Sequence, residues 1–139
     1  LKGAHITFDF ATVGGTENAM MAATLADGET IIENAAKEPE IVDLADFMKK
    51  MGAQIEGAGT GTIKIRGVSS LKAAEHRVIA DRVEAGTLII AAAITGGEVT
   101  VTDCEPSHFE TFLKKLRDSG IQMKIEGRSV TVLPTKSFK

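Results

Sequence analysis

The chain has 139 residues, of which 43% are hydrophobic and 25% charged, a composition too apolar for intrinsic disorder and sized for one domain or two small ones. Sixteen Lys and Arg against nineteen Asp and Glu leave a net charge of −3, and no basic run exceeds Lys49-Lys50 or Lys114-Lys115, so no nucleic-acid partner is expected. A single cysteine, Cys104, rules out an internal disulfide framework and a multi-cysteine zinc site and suits a reducing cytoplasm. The longest apolar stretch, residues 88–94, falls far short of the roughly 20 residues that span a bilayer, so no membrane insertion is expected. There is no initiator Met and no export signal pattern, and the chain reads as a piece of something larger.

In chain order, residues 4–10 alternate as a strand, and residues 15–26 read as a helix closed by Asp27-Gly28. Residues 29–33 are β-branched and strand-like. Ile41, Leu44, Ala45, Met48 and Met51 then recur at helical spacing with Asp46, Lys49 and Lys50 opposite, an amphipathic helix stopped by Gly52. Residues 53–56 and 62–66 make two short strands across a Gly-Ala-Gly-Thr-Gly turn. The string then repeats: a strand over 76–79, a helix over 82–95, a strand over 99–103, an amphipathic helix with Phe109, Phe112, Leu113 and Leu116 inward, and strands over 121–126 and 129–133. Ala22-Ala23-Thr24-Leu25-Ala26-Asp27-Gly28-Glu29 lies over Ala91-Ala92-Ala93-Ile94-Thr95-Gly96-Gly97-Glu98, and Glu38-Pro39 matches Glu105-Pro106, which puts the repeat boundary near residue 69.

The expected fold class is thus α+β, with a βαβαββ unit twice over. The opening helix of each copy is apolar on nearly every face and belongs in a core beneath a sheet. Two units leave such helices half covered, so self-association through their exposed apolar faces is expected.

Chemistry concentrates at helix starts. The segment Thr12-Val13-Gly14-Gly15-Thr16 joins a strand to a buried helix: two glycines let backbone N–H groups approach a ligand, and the helix end favours an anion such as a diphosphate. The plainer reading is a tight turn with Thr16 as helix cap. Glu38-Pro39-Glu40 sets two carboxylates at the next helix start, where they complement the helix dipole, and Asp81-Arg82 with Glu84 opens the second copy with Asp81 as cap. Cys104 reads as a structural thiol, and His5, His76 and His108 stand in no metal-ligand spacing.

The run AATLADGETIIENAAKEPEIVD of residues 22–43, with Val13-Gly14 upstream and Asp81-Arg82-Val83-Glu84-Ala85-Gly86-Thr87 downstream, resembles the central part of the UDP-N-acetylglucosamine 1-carboxyvinyltransferases of the enolpyruvyl transferase family. The resemblance implies an α/β prism, or inside-out barrel, of six such units in two domains. Residues 1–79 would be the last unit of one domain and 80–139 the first complete unit of the other. It implies transfer of the enolpyruvyl group of phosphoenolpyruvate to the 3′-hydroxyl of UDP-N-acetylglucosamine, a committed step of peptidoglycan and cell-wall synthesis, without a cofactor or metal.

By resemblance, Phe10, Ala11, Thr12, Val13 and Gly14 bind the sugar nucleotide, although Phe10 stands where some members carry lysine and cannot neutralise a phosphate. Glu38, Glu40, Asp81 and Arg82 match cleft-lining positions. The family's cysteine-bearing loop and its other catalytic groups lie outside these 139 residues, so no catalytic residue is expected within them and the piece alone is expected to be inactive. A 5-enolpyruvylshikimate-3-phosphate synthase-like transferase and a non-catalytic repeat scaffold are the alternative readings.

Overall fold

The computed structural model describes residues 1–135 and divides into two compact units, Leu1–Ile79 and the chain from Ala80 onward. In the first unit, strand β1 (His5–Thr7) leads to helix α1 (Val13–Thr24), strand β2 (Glu29–Glu33), helix α2 (Pro39–Lys50) and the hairpin β3 (Gln54–Glu56) and β4 (Thr62–Arg66). The sheet order is β1-β2-β4-β3, with β1 parallel to β2 and the other neighbours antiparallel.

Strict alternation makes this sheet one-sided. Ile63 and Ile65 of β4 point into the core between exposed Thr62, Lys64 and Arg66, and β2 buries Thr30 and Ile32 in the same sense. Against that face α1 packs Met20 and Ala23, and α2 packs Ile41, Ala45 and Met48. Fully burying each such aliphatic side chain contributes roughly 1.5–3 kcal/mol.

The second unit runs α3 (Arg82–Thr95), β5 (Val99–Val101), a 3-10 turn (Pro106–Phe109), α4 (Glu110–Asp118), β6 (Met123–Glu126) and β7 (Ser129–Val132), with sheet order β5-β7-β6. Its core joins Ile89, Ala92 and Ala93 of α3 to Phe109, Leu113, Val130 and Val132. Asp81 caps α3 at one end, and Gly96, at φ 67°, closes the other in the left-handed conformation that glycine adopts without strain.

The strand expected over residues 76–79 is not formed; among the described residues, 67–81 contain no helix or strand. Its place in the repeat is lost because His76 is held by side chains of α2 in the first unit. Residues 4–10 also shorten, to His5–Thr7, because the partner strand ends at Glu33 and Asn34 turns away at φ 54°. Helix α1 starts at Val13, two residues earlier than the sequence suggests, because Thr12 rather than Thr16 is its cap.

Each unit covers one side of its opening helix. Met21 and Leu25 of the first unit are 47% and 55% exposed, and Leu88 and Ile94 of the second are 49% and 69% exposed. Burial all round is therefore not reached within either unit.

The alternation of β4 can be tested by paired substitution. Ile63→Ala removes a fully buried side chain and is expected to cost about 2–5 kcal/mol in urea unfolding, whereas Lys64→Ala on the open face stays within about 0.5 kcal/mol. Equal losses at both positions would show that the assigned inward face is wrong.

Candidate functional site

Parallel pairing of β1 with β2 brings the loops that follow them, and hence the first turns of α1 and α2, to one end of the first unit's sheet. Three long-range bonds fix this corner. Phe8 N–H donates to the Glu33 carbonyl (3.2 Å), Asn34 Nδ2 to the Phe8 carbonyl (2.9 Å), and Ala36 N–H to Thr16 Oγ1 (3.0 Å). Thr16 is completely buried, so its hydroxyl ties α1 to the approach of α2 and does not cap the helix.

The cap is Thr12, whose Oγ1 accepts from Gly15 N–H at 3.4 Å while its carbonyl accepts from Thr16 N–H at 3.0 Å. Val13 and Gly14 are the first helical residues, and helix geometry gives their N–H groups no acceptor within the helix. No acidic residue stands in the first turn of α1. The partial positive charge of this helix end is therefore uncompensated by a local carboxylate.

The two adjacent glycines serve different ends. A Cβ on Gly15 would sit 2.5 Å from Thr12 Cγ2 and 3.3 Å from the Phe8 ring, so the corner itself demands glycine there. A Cβ on Gly14 would meet nothing within 4 Å, so the backbone at Gly14 is open to approach from outside. Phe10 lies in the loop ahead of the cap with 73% of its surface exposed, next to exposed Ala11.

At the neighbouring helix start, Glu38 occupies the cap position of α2 without capping the helix through its side chain; its Oε2 instead accepts from Lys37 N–H at 2.8 Å. Pro39 and Glu40 follow in the first turn, and both glutamates are half-buried. Residues 10–14 and the pair Glu38 and Glu40 thus stand on adjacent loops of one corner.

The second unit opens differently. Asp81 Oδ1 accepts from the N–H groups of Val83 (2.7 Å) and Glu84 (3.0 Å), which satisfies the start of α3 from within. Arg82 is half-buried and borders a depression of about 530 Å³ with Ser107, His108, Phe112 and Lys115.

Cys104 is 2% exposed, its thiol lies 3.7 Å from the Val101 carbonyl and 3.5 Å from that of Arg128, and burial pushes its pKa up. It is a packed thiol. Among the described residues, no group of three or more His, Cys, Asp or Glu side chains is placed to hold a metal ion, and no helix is long and apolar enough to cross a membrane. The contacts of Thr16 and Asn34 reach across 20 and 26 residues, so no local pattern signals them.

Two consequences are measurable. Gly15→Ala is expected to destabilise the chain by about 1–3 kcal/mol through the clash at Thr12, whereas Gly14→Ala leaves stability unchanged or raises it by up to about 1 kcal/mol through helix propensity. Similar losses for both in thermal unfolding would remove the steric distinction. At pH 8, Cys104 is expected to be alkylated at least tenfold more slowly in the folded chain than in urea; equal rates would mean that the thiol is accessible.

Comparison with known proteins adds a family. Residues 1–138 match the model described as EPSP synthase (3-phosphoshikimate 1-carboxyvinyltransferase). The UDP-N-acetylglucosamine 1-carboxyvinyltransferase of Bdellovibrio bacteriovorus is 57% identical over all 139 residues, which cover 34% of that protein, and its namesake from Koribacter versatilis is 55% identical over the same length, covering 32%. The chain therefore spans about a third of the length of these curated relatives. In three dimensions it is similar to the enolpyruvyl transferase NikO from Streptomyces tendae (TM-score 0.82, 20% identity, 98% of this chain and 36% of that one) and to an EPSP synthase from Acinetobacter baumannii (TM-score 0.63, 20% identity, 100% and 33%). With a family match along nearly its whole length, the chain belongs to the EPSP synthase (3-phosphoshikimate 1-carboxyvinyltransferase) family.

Proposed function

We propose that this chain is a central third of a UDP-N-acetylglucosamine 1-carboxyvinyltransferase. The full-length protein would move the enolpyruvyl group of phosphoenolpyruvate onto the 3′-hydroxyl of UDP-N-acetylglucosamine by addition and elimination, releasing phosphate. The observation that carries this reading is the identity of 55–57% to relatives of that name over every residue of the chain. On this reading the protein works in the cytoplasm at an early step of peptidoglycan synthesis.

The first unit's corner supports a role in holding the sugar nucleotide. A hydroxyl has two acceptor lone pairs and one donor; Thr12 Oγ1 uses one lone pair on Gly15 N–H, and its own O–H is then available to a diphosphate oxygen. The N–H groups of Val13 and Gly14 would donate beside it, where the helix end favours negative charge and the bare Gly14 backbone allows close approach. Ala11 adds small backbone surface. The exposed ring of Phe10 offers a face on which a uracil stacks, in place of a charge contact.

We assign Glu38, Glu40, Asp81 and Arg82 to the walls of the substrate cleft of the full-length enzyme. Glu38 and Glu40 bring negative charge to a helix start that stabilises it, suited to pairing with cationic groups as a cleft closes. Asp81 spends one carboxylate oxygen on its own helix start.

The full-length protein is expected to release phosphate from phosphoenolpyruvate with UDP-N-acetylglucosamine and not with shikimate 3-phosphate. In the 139-residue chain the same sugar nucleotide should shift the amide signals of Thr12, Val13 and Gly14, and Gly14→Val should weaken that binding about tenfold without changing the fold. Release with shikimate 3-phosphate alone would move the chain to the other branch of the family. Release with neither acceptor, together with an unmoved spectrum, would leave a non-catalytic scaffold.

A further inference from the structure

The segment between β4 and α3 has no regular structure, yet it is fastened along the first unit. Gly67 N–H donates to the Gly28 carbonyl (2.9 Å), Val68 N–H to that of Thr24 (2.8 Å) and Lys72 N–H to that of Met51 (2.9 Å), and Leu71 packs on the core. Further along the segment a side chain takes over. His76 Nε2 lies 2.9 Å from Asp43 Oδ1, its Nδ1 lies 3.2 Å from Lys50 Nζ, and its ring stacks on Phe47 with centroids 5.1 Å apart. The side chains of His76 and Asp43 are only 8% and 14% exposed.

Asp43, Phe47 and Lys50 stand at i, i+4 and i+7 of α2, one face of the helix, so a single rigid element presents an acceptor, an aromatic plane and a donor to one imidazole. A lysine ammonium has donors only, so Nδ1 accepts from Lys50 and the ring proton sits on Nε2, facing Asp43. The other charges along this stretch of α2, Asp46 and Lys49, pair with each other at 3.6 Å. Past His76 the chain is exposed at Arg77 and Val78, and Asp81 opens α3 five residues on.

We propose that His76 is a positioning residue: its three-sided clamp on α2 fixes the path of the segment along the first unit and the point at which the chain leaves it towards Asp81 and Arg82. The link to substrate rests on the transferase reading above; the clamp itself does not.

Backbone ¹⁵N relaxation of the 139-residue chain tests the clamp directly. Residues 73–79 are expected near the rigid order parameter of about 0.85 in the unaltered chain and below about 0.6 in His76→Ala, with exchange of the Ile63 and Ile65 amides unchanged. His76→Gln, which keeps one donor for Asp43 and one acceptor for Lys50, should restore rigidity. Unchanged mobility in His76→Ala, failure of the Gln rescue, or a loss of protection shared by Ile63 and Ile65 would each overturn the clamp. In the full-length enzyme, His76→Ala should raise KM for the sugar nucleotide about three- to tenfold with kcat within about twofold. A mobile segment with unchanged KM would refute the positioning role, whereas an unaltered protein that releases no phosphate would count against the transferase reading and leave the relaxation result standing.

Discussion

A fully buried hydroxyl, that of Thr16, carries the geometry on which the corner of the candidate site depends. By accepting from Ala36 N–H it satisfies a backbone donor in a stretch where Ala35 and Ala36 are only 1% exposed, and a donor left unpaired there costs about 1–3 kcal/mol. The same bond sets how closely the first turn of α1 lies to the start of α2. Phe8 and Asn34 close the joint from the strand side, so the loop that presents Thr12, Val13 and Gly14 is braced from two directions. An anion site built of backbone N–H groups needs such bracing, because its donors cannot adjust as long side chains do.

The internal repeat makes the contrast between the two units instructive. In both an apolar helix precedes a strand, α1 before β2 and α3 before β5, but only the second supplies a carboxylate to its own helix start: Asp81 fills the positions that an external anion would take, and Glu84 adds a second negative charge in the first turn. The first unit caps with a neutral threonine and places no acid in that turn. One architecture thus yields one helix end that is electrostatically satisfied and another that remains receptive. A substitution of Asp by Thr at a cap is modest for folding and decisive for what the corner attracts.

Much of this was legible from residue order alone, where a local rule had no competitor. Strand β2 stands where β-branched residues set it, β4 follows the glycine turn as expected, and α3 runs between an aspartate cap and a left-handed glycine. Reading failed where two local solutions were nearly equal or where a distant group intervened. Thr12 and Thr16 are both good caps, and the choice fell to the strand pairing that ends near Thr7 and turns at Asn34. Val78 and Ile79 look strand-like, but His76, two residues before Val78, is committed to α2, a contact across 33 residues that no window of sequence contains. For the candidate site, the helix start at residues 12–14 was visible as glycine and cap chemistry, and the different steric standing of Gly14 and Gly15 needed the positions of Phe8 and Thr12.

The sheets end in short strands: β1, β3 and β5 have three residues each and β6 has four, while the longer β2 and β4 lie inside their sheet. Strand addition at such edges gains few backbone hydrogen bonds, so growth edge to edge is poorly rewarded. The large apolar surfaces lie instead on the helices, at Met21, Leu25, Leu88 and Ile94. Whatever covers those faces is held by exclusion of water from side chains, with little help from charge or backbone pairing. An attachment through such faces would weaken on cooling and would not be weakened by the screening of charges that loosens ionic contacts.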